Sequence, residues 1–192
     1  MDEQRMIAYI NLLESLLNCP DGEEVSLITP QDYLDFLKSV LEAVATDNSP
    51  QSIYPLLQNN LDKLDDNFAQ ILTAWMNKNL TEFEIKTAKF IATTIFYFSN
   101  LIQKFTLGNI ASNKEIAIAG YQAVATVFTQ SNFPEQWAGT QNNLAAAYSN
   151  RIRGDRAENL ETAIAHYDNA LLVCTQSDFP EQWAMTQNNL AA

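Results

Sequence analysis

The chain of 192 residues is poor in the residue types from which catalytic and metal sites are usually built. It has a single histidine, His166, and two cysteines, Cys19 and Cys174, whose separation matches no metal-binding or redox motif. It contains neither a glycine-rich phosphate loop nor a nucleophile motif. These absences predict a protein without catalytic residues, metal or cofactor, whose thiols stay reduced as in the cytoplasm.

Basic residues are also few, and this scarcity limits the possible partners. The chain has 11 lysines and arginines against 23 acidic residues, which gives a net charge of −12. Residues 1–80 hold 13 acids and 4 bases, whereas residues 81–192 hold 10 acids and 7 bases. Because an acidic protein repels phosphate backbones, we expect no nucleic-acid partner.

Long hydrophobic runs and a basic N-terminus are absent as well. The opening Met-Asp-Glu-Gln-Arg differs from the basic start of a signal peptide. The most apolar stretch, residues 90–102, is interrupted by polar residues and is too short to span a bilayer. We therefore expect a cytoplasmic protein that makes no membrane contact.

Helical periodicity is present throughout, and no stretch alternates as a strand would. With only 5 glycines and 6 prolines, the composition favours long regular elements. Apolar residues at intervals of 4, 3 and 4 predict a first amphipathic helix over residues 2–18. A second helix is predicted from residue 29, a third runs unbroken from Ile53 to Trp75, and a fourth covers residues 81–105. The fourth is apolar on two faces, which predicts that neighbours enclose it. The predicted class is all-α.

The strongest pattern is an internal repeat of 46 residues. The segment FPEQWA at residues 133–138 returns at residues 179–184, and 21 of the 30 positions in 117–146 are identical in 163–192. A fixed period of this size is typical of repeat proteins, in which each unit buries its apolar face against its neighbours. Helices are predicted at residues 114–129 and 134–150, with equivalents at 157–175 and 180–192.

The repeat resembles the tetratricopeptide repeat. The residues that carry the resemblance are Leu144-Ala145-x-x-Tyr148 followed by Ala163-x-x-x-Tyr167-x-x-Ala170-Leu171. The unit is longer than the usual 34 residues, and it looks like a long subtype common in cyanobacterial proteins, often placed before a caspase-like CHAT protease domain. Its Asn-Asn-Leu-Ala string is also similar to kinesin light chain repeats. The resemblance implies a short right-handed α-solenoid.

We therefore expect two parts in the chain. Residues 1–80 would form an N-terminal three-helix cap, and residues 81–192 a tetratricopeptide array. The array would comprise a degenerate unit at 81–130, a full unit at 131–176 and a truncated unit at 177–192. Because the second copy stops in mid-pattern, we expect the chain to be part of a longer array or multidomain protein.

The resemblance also indicates candidate binding residues. In such arrays the first helix of each pair lines a concave groove, where amides can bond the backbone of an extended peptide. This placement predicts Asn142, Ser149 and Asn188 in the groove. The remaining candidates are scaffold or groove-edge residues, with the tryptophans as packing anchors or a ligand rim: Asn143, Asn189, Trp137 and Trp183.

Two further polar features of the sequence are its single histidine and a cluster of three arginines. His166 is expected to be a plain surface residue. Arg151, Arg153 and Arg156 would either meet the C-terminal dipole of the helix at 134–150 and pair with Asp155 or Glu158, or contact an anion or acidic peptide.

Three functions are compatible with these patterns. The leading one is a protein-interaction module that binds a peptide or protein segment in the groove. The alternative is a purely structural or self-associating module that forms a homodimer through the open end of the solenoid. Enzymatic function would require a further catalytic domain after Ala192.

Overall fold

The computed structural model describes residues 28–80 and 82–191, and within them every regular element is helical. This confirms the all-α class. The helix predicted over residues 2–18 and Cys19 lie outside the described residues. The described residues form eight α-helices, α1 Pro30–Thr46, α2 Pro50–Gln58, α3 Asp66–Asn79, α4 Ile85–Lys104, α5 Ile110–Val127, α6 Pro134–Ser149, α7 Arg156–Leu171 and α8 Pro180–Leu190, and a 3₁₀ helix covers Leu61–Lys63.

Five of the eight described α-helices begin at a residue whose side chain accepts a hydrogen bond from the first turn. Thr29 accepts a hydrogen bond from the backbone N–H of Asp32, whose carboxylate accepts one from the backbone of Thr29. This reciprocal pair satisfies two donors that the first turn leaves open. α1, α2, α6 and α8 all carry proline in the first turn, where its missing N–H costs nothing.

The single helix predicted from Ile53 to Trp75 is wrong. The chain leaves helical geometry after Gln58, passes through the 3₁₀ turn and restarts at Asp66. Asp65 caps the new helix by accepting a hydrogen bond from the backbone N–H of Phe68 at 3.0 Å. The apolar periodicity survives this break because the residues on both sides of it face the same core, so the spacing alone did not reveal the break.

The helices α4, α5, α6 and α7 pack side by side in the order in which they follow one another in the chain. α4 lies along α5, and α6 lies along α7, while α5 and α6 join the two pairs. α3 packs on α5, and α1 packs on α4. The first helices of the two pairs, α4 and α6, also touch directly.

One hydrophobic core extends from Tyr33 in α1 to Ala147 in α6. Its centre includes Phe68 of α3 and Phe98 of α4, whose rings meet edge to face with centroids 6.1 Å apart. The predicted cap and the first helix pair therefore share a core. A second, smaller cluster of Ala145, Ala163 and Tyr167 holds α6 against α7.

Small residues set the separation of α4 and α5. Gly120 of α5 lies so close to α4 that an added Cβ would stand 2.1 Å from Ser99 Oγ. Ser99 is itself fully buried, and its hydroxyl donates to the carbonyl of Ile95 at 2.8 Å. The two helices can approach this closely only because position 120 has no side chain.

Candidate functional site

The structure places Asn142 between two helices rather than on an open surface. Its side chain is only 6% exposed. Its carbonyl oxygen accepts a hydrogen bond from Thr186 Oγ1 of α8 at 3.2 Å, and the amide of Asn189 lies 3.5 Å away. This side chain is used in packing α6 against α8.

A continuous set of hydrogen bonds joins α4, α6 and α8. Asn143 Nδ2 of α6 donates to Asn100 Oδ1 of α4 at 2.8 Å, and Asn142 Nδ2 donates to Asn143 Oδ1 at 3.3 Å. The hydroxyl of Tyr121 in α5 lies 2.7 Å from Asn100 Oδ1. We call Asn100, Asn143, Asn142 and Asn189 the amide chain.

The sequence assigned Asn143 and Asn189 to the scaffold or groove edge, and both lie in the amide chain. It did not select Asn100. The signal was available, because the Asn100-Leu101 pair echoes Asn143-Leu144 in the repeat. A buried amide is best satisfied by another amide, which offers both donor and acceptor.

The other predicted site residues are dispersed. Asn188 is exposed on α8, and Ser149 is partly exposed at the end of α6. Trp137 and Trp183 are half-buried at the starts of α6 and α8. Trp137 packs against the main core, as a packing anchor would.

The three arginines all find partners within the protein. Arg151 makes two hydrogen bonds of 2.8 Å to the carboxylate of Glu115 in α5. Arg153 pairs with Asp66 of α3 at 2.5 Å, and Arg156 donates to the carbonyl of Ser149 at the C-terminus of α6.

This arrangement matches the first of the two interpretations only in part. Arg156 meets the end of α6 as expected, whereas the carboxylates that pair with the other two arginines come from distant helices. Asp155 instead caps α7 by accepting from the backbone N–H of Glu158 at 3.0 Å. Through its ion pair with Asp66, Arg153 ties the turn between α6 and α7 to α3.

His166 is half-buried rather than a plain surface residue. Its Nδ1 lies 2.6 Å from Gln141 Oε1, and its ring stacks on Tyr148 with centroids 5.7 Å apart. Burial lowers the pKa of His166, so its imidazole is neutral at pH 7. Its place is in the packing of α6 against α7.

The surface of the described part of the chain includes two depressions that bear on the candidate site. The first, a groove of about 580 Å³ that we call the α3–α5 groove, has both arginines and both of their carboxylate partners on its walls. Because these charges are paired, the groove carries little net charge. Its lining is Asp66, Ala69, Gln70, Thr73, Ala74, Asn77, Glu115, Ile118, Ala119, Gln122, Tyr148, Arg151 and Arg153.

The second depression lies between the ends of α4 and α6 and has a volume of about 470 Å³. We call it the lysine cavity, because Lys104 and Lys114 line it together with amides of the amide chain. Lys114 Nζ donates to the carbonyl of Gln103 at 2.7 Å, and burial lowers the pKa of Lys114. The lining is Asn100, Gln103, Lys104, Phe105, Thr106, Ile110, Lys114, Asn143, Ala146 and Asn150.

The lysine cavity continues into a stripe along α4. Residues at intervals of 4, 3, 4, 3 and 4 share one side of this helix, and we call them the α4 stripe: Lys86, Phe90, Thr93, Tyr97, Asn100 and Lys104. Tyr97 is 43% exposed, and both lysines are exposed. α4 contains three lysines and no acidic residue, although the chain as a whole carries −12. One of the two apolar faces predicted for this helix is therefore partly open to solvent.

The α7–α8 end of the protein also exposes apolar side chains. Leu172 is 62% exposed, Met185 49% and Ile164 42%. A small cavity of about 90 Å³ lies beneath, between α6 and α8, and is lined in part by Cys174. Burial raises the pKa of the Cys174 thiol, which is consequently protonated at neutral pH.

Within the described ranges, no cluster of three or more His, Cys, Asp or Glu side chains is placed to bind a metal ion. None of the helices described here is long and apolar enough to cross a bilayer. Comparison of the chain with protein-family models, curated proteins and solved structures found no match.

Proposed function

We propose that this chain is a protein-interaction module without enzymatic activity, which binds an acidic segment of a partner protein along α4 and the adjoining end of α6. The observation that carries the proposal is the α4 stripe with the lysine cavity at its end. It is a surface of lysines, aromatic rings and amides on a chain whose net charge is −12.

We further propose that α4 to α8 are tetratricopeptide-like helix pairs, with α4, α6 and α8 as the first helices. The packing of α4 with α5 and of α6 with α7 supports this assignment. So do the asparagines at equivalent places in the first helices, Asn100, Asn143 and Asn189, which all belong to the amide chain.

The chemistry of the α4 stripe and the lysine cavity indicates the class of ligand that they would bind. Exposed lysines attract carboxylates, while Tyr97 offers a ring with a large apolar face. The side chains of Asn150 and Gln103 each make one hydrogen bond, to the carbonyl of Ala146 and with the hydroxyl of Tyr121, and an amide has further donor and acceptor capacity for backbone groups in the cavity. An acidic segment with apolar residues at helical spacing would satisfy all three features, so this is the class of ligand that we propose.

The binding test uses a fluorescein-labelled helical peptide of glutamate and leucine, about 18 residues long to span α4 at 1.5 Å per residue. We expect Lys86→Glu combined with Lys104→Glu to weaken its binding about tenfold or more. Each reversal replaces an attraction of about 0.2–1 kcal/mol by a repulsion of similar size. Fluorescence anisotropy at several salt concentrations measures the effect.

The matched control reverses two lysines outside this surface, Lys63→Glu with Lys78→Glu, and so changes the net charge equally. Equal weakening in both double variants would show that only the total charge matters and would contradict the proposed site. Binding of a peptide in which lysine replaces every glutamate should not be weakened by Lys86→Glu with Lys104→Glu, because the chain carries a net charge of −12.

Self-association is a second candidate function, favoured by the exposed apolar side chains of α7 and α8. Leu172 and Met185 lie at this end of the protein and would be covered in a dimer. Light scattering at rising protein concentration separates the two functions. A strict monomer excludes the dimer, whereas a dimer that Leu172→Glu dissociates supports it.

A further inference from the structure

We infer that the lysine cavity binds the phosphate group of a phosphorylated serine or threonine in the partner segment, held by Lys104 and Lys114. The inference rests on the proposed function, because it adds a chemical specificity to the same surface. Three properties of the cavity lead to it: its uncompensated positive charge, its unused hydrogen-bond donors and its distance from Tyr97.

The positive charge of the cavity is not compensated by an acid on its walls. Of the ten described residues that line it, two are lysines and none is an aspartate or glutamate. Glu115 follows Lys114 in the chain, but its carboxylate pairs with Arg151. Burial lowers the pKa of the Lys114 amine, and no carboxylate in the cavity offsets this by stabilising the charged form. Two lysines without a counter-charge match a phosphate monoester, whose charge is about −1.5 to −2 at pH 7.

The cavity also offers hydrogen-bond donors that the protein itself does not use. Asn100 Oδ1 accepts from Asn143 Nδ2 and lies 2.7 Å from the hydroxyl of Tyr121. The oxygen of this amide is therefore engaged, whereas no described residue accepts a hydrogen bond from its nitrogen. Lys114 Nζ uses one of its three N–H groups for the carbonyl of Gln103 at 2.7 Å. The remaining donors suit the three acceptor oxygens of a phosphate group, whereas a carboxylate has only two.

These donors belong to one part of the cavity. Gln103 contacts Lys114 through its backbone carbonyl, and its side chain lies 2.9 Å from the hydroxyl of Tyr121. The same hydroxyl contacts Asn100, so a short series of contacts connects Lys114 to Asn100. Lys104 follows Gln103 in α4, is exposed and lines the same cavity. A single phosphate group can therefore approach both lysines and the free amide nitrogen.

The neighbouring surface favours a phosphorylated side chain over a free phosphate ester. Tyr97 is exposed and lies two turns from Lys104 on the same side of α4, about 10 Å away along the helix axis. Its ring offers an apolar face to another residue of the bound segment. That residue would lie about seven positions from the phosphorylated one in a helical segment, or about three positions in an extended one.

The α3–α5 groove is a poorer phosphate site, although it contains two arginines. Arg151 and Arg153 are already ion-paired with Glu115 and Asp66. A phosphate group in this groove would displace these carboxylates or lie beside them, and like charges repel. The lysine cavity presents its charges without such competition.

The first test adds one phosphate to the labelled Glu/Leu peptide. Two versions carry phosphoserine in place of the first or the last glutamate, so that one of them has its phosphate at the cavity in either direction of binding. We expect that version to bind at least about tenfold more tightly than the same peptide with serine there, as measured by fluorescence anisotropy. A peptide with two adjacent glutamates at that end matches the charge and should gain less. Equal binding of the phosphoserine and serine peptides at both ends would overturn the inference.

The second test removes one amine from the cavity. Lys114→Gln loses the charge but keeps an N–H donor for the carbonyl of Gln103, whereas Lys78→Gln makes the same change at an exposed position of α3. We expect Lys114→Gln to remove most of the gain from the phosphate and to leave binding of the serine peptide unchanged. Lys78→Gln should preserve the gain. A gain that persists in Lys114→Gln would show that the phosphate binds elsewhere, which contradicts the inference.

The outcomes separate the inference from the proposed function. If the Glu/Leu peptide binds but phosphoserine adds nothing at either end, the inference fails and the proposed function stands. If only a phosphoserine peptide binds, and its binding requires Lys114, the inference stands and the broader proposal for acidic segments fails. If no peptide binds, both fail. Free O-phosphoserine that binds as tightly as the phosphoserine peptide would overturn the assignment of the phosphate to a partner segment.

Discussion

Gly120→Ala is expected to destabilise the protein by about 1–3 kcal/mol, which lowers the Tm by about 2–12 °C for a chain of this length. The added Cβ would stand 2.1 Å from Ser99 Oγ and 3.5 Å from Ile95 Cγ2. Both belong to α4 in the fully buried core, so the new methyl group can be accommodated only if α4 and α5 move apart. Thermal and urea unfolding measure the loss.

Two further variants make this result specific. Adding Ser99→Ala to Gly120→Ala removes the closest contact and should restore most of the stability in a double-mutant cycle. Gly139→Ala makes the identical substitution in α6, where nothing lies within 4 Å of the new Cβ. It should stabilise the protein by about 0.5–1 kcal/mol, because alanine favours a helix over glycine. Equal effects at positions 120 and 139 would contradict the close packing of α4 on α5.

Asn142→Ala is expected to cost about 1–3 kcal/mol of stability, the usual penalty for leaving buried polar groups without partners. Its carbonyl oxygen accepts from Thr186, and its amide donates to Asn143. Asn188 occupies the equivalent place 46 residues later but is exposed. Asn188→Ala should therefore change stability by less than about 0.5 kcal/mol.

Thermal unfolding of this matched pair distinguishes a scaffold role from a groove role. If Asn142→Ala unfolds at the wild-type temperature, the side chain is not a packing residue and the sequence-based placement in the groove regains support. If both variants lose stability equally, α8 is packed more extensively than the structure shows.

Most of the helices could be predicted from the sequence, because the residues that start a helix act on their immediate neighbours in the chain. The first turns of α1, α6 and α8 begin with proline, directly after Thr29, Phe133 and Phe179. The start of α5 was placed too late, at residue 114 rather than Ile110, because its cap, Asn109, precedes the apolar spacing. Local caps are readable, but a periodic pattern does not mark where one helix ends and the next begins.

The candidate site was less predictable, because it depends on which helices become neighbours. Nothing local to Arg151 and Arg153 indicates that Glu115 and Asp66 will pair with them. Similarly, the repeat gave Asn142 and Asn188 the same role, although only Asn142 is covered by a following helix. Tyr97 lies on one of the two apolar faces of the fourth predicted helix, which the sequence predicted to be enclosed by neighbours, yet its side chain is exposed.

The measurement that tests the central claim most directly is a nuclear magnetic resonance titration of the ¹⁵N-labelled full chain with the acidic Glu/Leu peptide. We predict that the amide resonances that shift belong to the exposed side of α4, from Lys86 to Lys104, and to the end of α6 near Ala146 and Asn150. Shifts confined to the α3–α5 groove, at residues 66–77 and 115–122, would contradict an interaction surface on α4 and α6.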